Sequence, residues 1–267
     1  MLTKNQHFAF NIWDFESAKA VIDAAASLKR DVILQTSVGI YKKLPARIFS
    51  SFVKEYAIHK NIKTWLNLDH CKEKDILFDA VDSGWDMVMA DGSSMSLKQN
   101  ISFTNEVICY AHSHGVLVEA EVGQVKGNED DVFVQQDAIA SREEIADFLA
   151  STDVDFIAVA FGNKHGEYKV KPNLHYELVK YTTSITDKPF VVHGGSGLSD
   201  DVLVHLLRIK GVKKLNISTD LKFAFKSGIE KANQSWSQPI DALETIHNEI
   251  MNTAVSKMIL INDNNER

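Results

Sequence analysis

Residues 155–161, DFIAVAF, are apolar at almost every position after the first. A strand without polar alternation is typical of a parallel sheet that is covered by helices on both faces. Runs of similar strand-like composition recur along the chain, at 7–12, 31–37, 63–69, 85–91, 116–122, 189–194 and 213–218. The sequence therefore predicts eight strands that belong to one parallel sheet.

The segments between these runs have the periodicity of amphipathic helices. One of them carries apolar residues at three- and four-residue steps, namely Ala18, Val21, Ile22, Ala25 and Leu28. Another begins with Ser199 and two acidic residues, a capped start that favours a helix. Eight β/α repeats favour a closed barrel over an open sheet, because the eighth strand can pair with the first and remove both edges.

We therefore predict an α/β protein consisting of a single (β/α)8 TIM barrel over residues 1–267. Its 267 residues, 45% of them hydrophobic, match the roughly 250 residues of such a barrel. Residues 235–262 predict additional helices at the carboxyl terminus, and 262–267 predict a frayed tail.

Composition excludes several classes of partner. The formal net charge is −7 and no Lys/Arg cluster exceeds two residues, so nucleic acid is not an expected partner. No stretch approaches the roughly 18 uninterrupted apolar residues of a spanning helix, and the first ten residues lack the apolar centre of a signal peptide. The two cysteines form no disulfide framework. These features predict a cytoplasmic protein without a membrane partner.

Three histidines fall at the ends of predicted strands. His70 directly follows the third strand, His165 follows the sixth and His193 lies at the end of the seventh. In a β/α barrel the strand ends form the active-site rim, and three imidazoles with an open fourth position are typical of catalytic zinc. A structural role is the alternative for any single histidine. The remaining histidines of the helical stretches are interpreted in that way: His59, His112, His114, His175, His205 and His247.

Glycines and hydroxyls accompany two of these histidines. Gly166 follows His165, and HGGSG (193–197) places Gly194 and Ser196 after His193, with Ser218 and Thr219 at the end of the eighth strand. Unhindered backbone N–H groups in this quadrant of a barrel commonly bind phosphate. A tight turn into the next helix is the alternative interpretation of HGGSG.

Acidic residues lie on the same rim. Asp91 ends the fourth strand, while Glu119 and Glu121 alternate on the fifth and so point to one face. If that face is the barrel interior, these carboxylates must be paired with a lysine or bound to metal. The long segment 123–141 lacks a clear period and contains three consecutive acids from Glu129, which are either functional or simply solvated.

Together these motifs resemble the class II, metal-dependent ketose-bisphosphate aldolases of the fructose- and tagatose-1,6-bisphosphate type. The resemblance extends from AFN (9–11) to about residue 225. It rests on the order and spacing of LDH (68–70), MADGS (89–93) with Asn100, Ile101 and Thr104, AHSHGVLVEAEVG (111–123) with GNEDD (127–131), FGNKHGEYK (161–169), HGGSG (193–197) and NISTDL (216–221).

The resemblance implies a role for each matching position. His70, His165 and His193 would bind the catalytic zinc, and Glu121 and Asp91 would hold it in an alternative or second position. Asp69 would be the acid/base at the hydroxyl that becomes the aldehyde, and Glu129 would exchange the proton at the ketone's α-carbon. The positions that would hold dihydroxyacetone phosphate, together with a monovalent cation (Na⁺ or K⁺), are Gly166, Gly194, Ser196, Asn216 and Thr219, with Asn11 nearby.

The physical chemistry of retro-aldol cleavage is compatible with these roles. The reaction leaves an enediolate, whose charge a divalent cation stabilises as a Lewis acid. A carboxylate beside the metal must accept the C4 hydroxyl proton, and neighbouring strand residues diverge, so His70 and Asp69 can divide the two tasks. The expected partner is a phosphorylated ketose whose aldehyde half and C4 configuration the sequence leaves open.

Two rival functions and the assembly state also stay open. A Schiff-base aldolase would use Lys164 or Lys169 as its nucleophile, but such a lysine needs desolvation and both fall in a polar loop. A binding protein that kept the metal and sugar-phosphate pocket would need neither Asp69 nor Glu129. We expect a homo-oligomer, a dimer or tetramer, for which the extra carboxy-terminal helices offer a face.

Overall fold

The computed structural model describes residues 2–129, 132–134, 139–166, 168, 172–235 and 237–261; for 126–129, 132–134 and 235 the description is of the backbone. The tail predicted for 262–267 lies outside this part of the chain.

The strands are β1 (His7–Asn11), β2 (Val32–Ser37), β3 (Thr64–Cys71), β4 (Met87–Ala90), β5 (Leu117–Val122), β6 (Lys126–Glu129), β7 (Val132–Val134), β8 (Phe156–Val159), β9 (Lys164–His165), β10 (Phe190–Val192) and β11 (Val212–Ile217). The helices are α1 (Phe15–Ser27), α2 (Val38–Tyr41), α3 (Ala46–His59), α4 (Lys74–Asp82), α5 (Leu97–Ser113), α6 (Arg142–Ser151), α7 (Tyr176–Ile185), α8 (Asp200–Leu207), α9 (Thr219–Ser235) and α10 (Pro239–Met258).

Eight parallel strands close into a barrel in the order β1-β11-β10-β8-β5-β4-β3-β2. The closure is the pairing of β1 with β11, in which Phe10 lies opposite Ile217. Helices lie between consecutive barrel strands, and α9 and then α10 follow the last strand, β11. The predicted (β/α)8 TIM barrel with extra carboxy-terminal helical structure is confirmed.

The two faces of each barrel strand have different partners. One layer of side chains fills the barrel interior and includes Ala9, Ile33, Met87, Phe156 and Val191, with Leu2 packed against them. The opposite face of each strand, such as Phe8 and Phe10 on β1, packs against the helices in a second, larger core. Double burial explains why the strands read as nearly continuous apolar runs.

Helix starts follow the sequence signals closely. In α1 the Asp14 carboxylate accepts a hydrogen bond from the Ser17 backbone N–H, and the Ser17 hydroxyl accepts one from the Asp14 N–H, which forms a capping box. The predicted helix after Ser199 begins at Asp200, and Ser199 occupies the N-cap position, but among the described residues its side chain makes no capping hydrogen bond.

The structure departs from the sequence-based boundaries at the rim. β3 extends to Cys71, two residues beyond the predicted end, because the chain continues through an irregular step between Leu68 and Cys71 in its pairing with β4. Segment 123–141, which has no clear period, contributes β6 and β7, and these join β9 in a second sheet of order β7-β6-β9. No described helix is long and apolar enough to cross a membrane.

Gly194, which follows barrel strand β10, packs closely against the backbone of Lys164 in β9 of the second sheet. Its φ is +66°, and an added Cβ would overlap the carbonyl oxygen of Lys164. Gly115 has a similar φ of +73°, but a Cβ added there would have no other atom within 4 Å, so it is a matched control for backbone strain alone.

We expect Gly115→Ala to lower the free energy of unfolding by about 1 kcal/mol and Gly194→Ala to lower it by about 3 kcal/mol, because only the second adds a backbone clash to the strain. Urea denaturation of the two variants measures the difference. Equal losses in the two variants would contradict the role assigned to the Gly194–Lys164 contact.

Candidate metal centre

Three buried imidazoles meet at the carboxyl-end mouth of the barrel. The ring centroid of His70 lies 4.9 Å from that of His165 and 4.6 Å from that of His193, and the latter two are 5.7 Å apart. One ring nitrogen from each residue lies within 4.8 Å of the others. The structure thus brings together the three histidines that the sequence places on separate strands.

An unusual backbone conformation aims His70 at this cluster. Its φ is +48°, in the left-handed region that non-glycine residues rarely adopt, and it occupies the irregular step of the β3–β4 pairing. Such irregularities re-aim side chains at barrel rims. Regular alternation would place Asp69 and His70 on opposite faces of β3, so this irregular step is what allows both side chains to face the barrel mouth.

Hydrogen bonds fix which nitrogen of each ring is available. His70 Nδ1 lies 3.0 Å from Asp91 Oδ2, and His193 Nε2 lies 3.1 Å from Glu119 Oε1. Because carboxylates accept, we assign the protons to those nitrogens. The remaining nitrogens, His70 Nε2 and His193 Nδ1, then face each other at 3.0 Å with their lone pairs. Two facing lone pairs require a shared proton or a cation, so the donor set fits a zinc ion.

Surrounding charges reinforce this demand for a cation. Burial lowers the pKa of His70, but Asp69, Asp91 and Glu121 outweigh it and raise that pKa well above its usual value. Burial raises the pKa of Asp91, yet the bond to His70 holds it below its usual range. Burial, with Asp91 nearby, raises the pKa of Glu121 to about 8.

Glu121 and Asp91 form a second potential ligand set with His70. One atom from each of these three buried residues lies within 4.8 Å of the others. Within the part of the chain that the structure describes, Glu121 Oε1 has no hydrogen-bond partner. Asp91 is held on its other oxygen by the Ser93 N–H at 3.1 Å and the Ser93 hydroxyl at 2.6 Å. This arrangement is compatible with the alternative or second metal position predicted for the two acids.

Glu119 has a different role from Glu121. Of the two possibilities for a buried carboxylate on the fifth strand, a metal or a lysine partner, Glu119 has the lysine partner. Its carboxylate lies 2.6 Å from the Lys214 ammonium, and both side chains are fully buried. Burial raises the pKa of Glu119, but Lys214 and His193 together lower it to about 2. The same carboxylate orients His193, so the ion pair positions a candidate ligand.

Asp69 is anchored by one of its two oxygens. The Asn11 and Gln35 side-chain amides donate to Oδ2 at 3.2 and 3.0 Å, and Gln35 also donates to Asn11 Oδ1 at 2.7 Å. Oδ1 is buried and has no hydrogen-bond partner among the described residues. The carboxylate is therefore rigid yet retains one oxygen for a reacting group.

The predicted phosphate positions surround the ends of β10 and β11. The Ser196 hydroxyl accepts from the backbone N–H of Ser218 at 3.0 Å and of Asp220 at 3.3 Å, which joins the glycine-rich turn to the start of α9. Asn216 Nδ2 lies 3.2 Å from His193 Nδ1. Thr219 is the first residue of α9. Gly166 and Gly194 both have positive φ, so the turn interpretation of HGGSG and a binding role are compatible.

One predicted catalytic residue, Glu129, lies at the edge of the described part of the chain. The backbone of Glu129 ends β6, and its side chain lies outside the described part of the chain. Asp130 and Asp131 lie outside it entirely.

Sequence reasoning missed several residues that support the site. Gln35 holds Asp69, Lys214 pairs with Glu119, and the Asn163 amide donates to the His193 carbonyl at 2.9 Å. Asn100 donates to the Glu121 carbonyl at 2.9 Å. A usable signal for Gln35 was a long polar side chain directly after the apolar run Val32–Leu34, because a buried polar residue must find a partner; Lys214 has no such signal in the polar β11 sequence VKKLNI.

Two residues beside the candidate ligands have local roles of their own. The Lys164 ammonium lies 5.1 Å from the centroid of the Tyr168 ring, a cation–π contact. Cys71 is buried, its thiol donates to the Glu73 carbonyl at 3.4 Å, and burial raises its pKa to about 11. Cys71 therefore closes the turn after His70 as an unreactive thiol.

The buried Glu119–Lys214 pair yields a double-mutant prediction. Glu119→Gln leaves the Lys214 charge buried without a counter-charge, so we expect a loss of about 3–5 kcal/mol in the free energy of unfolding. Zinc affinity should fall about 10–100-fold because His193 loses its orienting carboxylate. Glu119→Gln/Lys214→Met should regain much of the stability but not the zinc affinity.

Urea denaturation and zinc titration of the single and double variants measure both effects. Lys42→Met is the matched control, since it breaks an exposed 3.0 Å pair with Glu73 and should cost under about 1 kcal/mol. A double variant that binds zinc as tightly as the unmodified protein would contradict the positioning role of Glu119.

Comparison with known proteins places this chain in a family. The family model described as "Fructose-bisphosphate aldolase class-II" matches residues 4–266. The Escherichia coli K12 protein YdjI is 34% identical over 248 residues, which cover 90% of this chain and 86% of YdjI. The crystal structure of the YdjI aldolase superposes with a TM-score of 0.83 at 26% identity, over 96% of this chain and 91% of that one. A Campylobacter jejuni fructose-bisphosphate aldolase structure shares the fold, with a TM-score of 0.80 at 24% identity over 96% and 90%. The chain belongs to the class II fructose-bisphosphate aldolase family.

Proposed function

We propose that the protein is a zinc-dependent aldolase that reversibly cleaves a ketose 1,6-bisphosphate of the fructose or tagatose type, or a related phosphorylated ketose, to dihydroxyacetone phosphate and an aldehyde. The observation that carries this proposal is the cluster of His70, His165 and His193 beside the Asp69 carboxylate, one oxygen of which is not hydrogen-bonded to any described residue. Metal ligands and a separate acid/base within one mouth are what aldol cleavage requires.

His70, His165 and His193 would hold the zinc, and Glu121 with Asp91 would hold it in its alternative or second position. When bound, zinc would act as a Lewis acid on the ketone and adjacent hydroxyl oxygens and so stabilise the charge that develops during cleavage. Asp91 and Glu119 would keep the rings of His70 and His193 oriented.

Asp69 would perform the first proton transfer. Its Oδ1 would accept the proton of the C4 hydroxyl while the C3–C4 bond breaks, so that C4 leaves as the aldehyde and the bonding electrons remain at C3. Asn11 and Gln35 hold Oδ2, which fixes the direction in which Oδ1 faces. Glu129 would then deliver a proton to C3 and complete dihydroxyacetone phosphate.

The C1 phosphate would bind between the glycine turns and the start of α9. Gly166 and Gly194 would offer backbone N–H groups, and Ser196, Asn216 and Thr219 would offer side-chain donors. The aligned peptide dipoles of α9 favour an anion at this position. A monovalent cation, Na⁺ or K⁺, stays a prediction for the same region, as do the homo-oligomer and the cytoplasmic location.

Two alternatives are distinguished by experiment. Lys164, one Schiff-base candidate, is engaged with the Tyr168 ring, and Lys169, the other, lies outside the described residues. A binding protein without catalysis would not need the anchored Asp69. Zinc-loaded protein that binds dihydroxyacetone phosphate but cleaves no phosphorylated ketose would support that second alternative.

Asp69→Asn tests the acid/base assignment. The amide keeps the shape but cannot accept the C4 hydroxyl proton, so we expect kcat to fall about 10²–10⁴-fold while the zinc content stays at that of the unmodified protein. A coupled assay of dihydroxyacetone phosphate formation, with metal analysis of the same samples, gives both values. Retention of kcat would show that another group takes the proton.

Metal removal separates the zinc mechanism from the Schiff-base mechanism. We expect a chelator to abolish cleavage and added zinc to restore it, and His70→Ala to abolish both zinc binding and cleavage. His114→Ala is the control, since His114 is exposed at the end of α5. Activity that survives chelation but is lost after borohydride treatment with substrate would contradict the proposal.

A further inference from the structure

A cleft of about 340 Å³ opens at the barrel mouth between β1, α2 and α9. We call it the β1–α9 cleft and define it by Asn11, Trp13, Asp14, Ile40, Lys222 and Phe225. Trp13 and Phe225 form its aromatic wall, with ring centroids 5.3 Å apart in an edge-to-face arrangement. Its volume is that of a small-molecule subsite.

Asn11 connects this cleft to the acid/base. The residue lines the cleft and its side-chain amide donates to Asp69 Oδ2 at 3.2 Å. Asp69 would contact the C4 hydroxyl, so the substrate atoms beyond C4 must continue past Asp69. The adjoining β1–α9 cleft is therefore positioned to receive the part of the sugar that leaves as the aldehyde.

The chemistry of the cleft is poorly suited to a second phosphate. Its walls are mainly the apolar side chains Trp13, Ile40 and Phe225. Phosphate often binds at a helix N-terminus, but at the start of α1 the Asp14 carboxylate already accepts from the Ser17 N–H at 2.7 Å. Lys222 is the one cation among the described residues that line the cleft, and it shares the cleft with this anion.

We propose that the aldehyde half of the substrate is unphosphorylated, so that the enzyme acts on ketose 1-phosphates in preference to ketose 1,6-bisphosphates. This inference rests on the proposed aldol cleavage. Trp13, Ile40 and Phe225 contact the carbon chain of the aldehyde through its apolar C–H faces, and Asp14 disfavours a terminal phosphate by like-charge repulsion. The β1–α9 cleft is the specificity-determining subsite.

The direct test compares substrates that differ only in the terminal phosphate. Dihydroxyacetone phosphate formation is measured with fructose 1-phosphate against fructose 1,6-bisphosphate, and with the two corresponding tagatose phosphates. In at least one pair we expect kcat/KM to be about ten-fold or more higher for the 1-phosphate than for the bisphosphate. In neither pair do we expect the bisphosphate to have the higher kcat/KM.

Variants of the cleft residues test whether the β1–α9 cleft determines the preference for 1-phosphates. Trp13→Ala should lower kcat/KM for the preferred 1-phosphate about ten-fold by removing apolar contact area. Phe223→Ala is the matched control, because Phe223 lies on the same helix as Phe225, is 49% exposed and does not line the cleft. Asp14→Asn keeps an N-cap side chain but removes the charge, so it should raise the bisphosphate/1-phosphate ratio of kcat/KM about three-fold.

A partial reaction separates this inference from the proposed function. Exchange of the α-proton of dihydroxyacetone phosphate with deuterated water, followed by NMR, needs the metal site but no aldehyde. Exchange together with a preference for bisphosphates, or an unchanged ratio in Asp14→Asn, would overturn the inference and leave the proposed function standing. Absence of both exchange and cleavage in zinc-loaded protein would overturn the proposed function and the inference with it.

Discussion

The structure depends on a balance of buried charge at the barrel mouth. Among the described residues four carboxylates are buried, those of Asp69, Asp91, Glu119 and Glu121, and Lys214 is the one buried lysine. Unpaired ionised groups in such surroundings are costly, so the excess of negative charge must be matched by protonation or by a bound cation. Protonation of His70 and Glu121, whose pKa values are raised, is one way to match this negative charge. A bound divalent ion is the other. The fold therefore holds an arrangement that zinc binding would relieve.

Backbone strain and this charge balance occur at the same position. His70 adopts a left-handed conformation that costs of order 1–3 kcal/mol in an L-residue and persists only where the surroundings impose it. The bond to Asp91 and the packing of the β3 end supply that constraint. As a result, two consecutive residues of LDH (68–70) serve different functions: Asp69 is the candidate acid/base and His70 is a candidate ligand. A regular strand end would have placed them on opposite faces.

Much of the fold could be predicted from the sequence, because double burial makes each barrel strand a distinct apolar run such as FIAVAF (156–161). The three candidate ligands could also be predicted from the sequence, since strand ends in a closed barrel converge whatever the intervening helices contain. The β6–β7 pair could not be predicted, because its strands have only four and three residues and the pairing of β6 with β9 is non-local. The left-handed His70 has no sequence signature, as only its tertiary contacts select it. The partners Gln35 and Lys214 depend on register between distant strands, which one sequence does not reveal.

The most direct test of the three-histidine metal centre is a zinc-edge anomalous diffraction measurement on crystals of the zinc-loaded protein. We predict an anomalous peak about 2.1 Å from one ring nitrogen of each of His70, His165 and His193, with His193 Nε2 still directed at Glu119. A zinc peak elsewhere in the molecule, or one that those three rings do not share, would contradict this assignment.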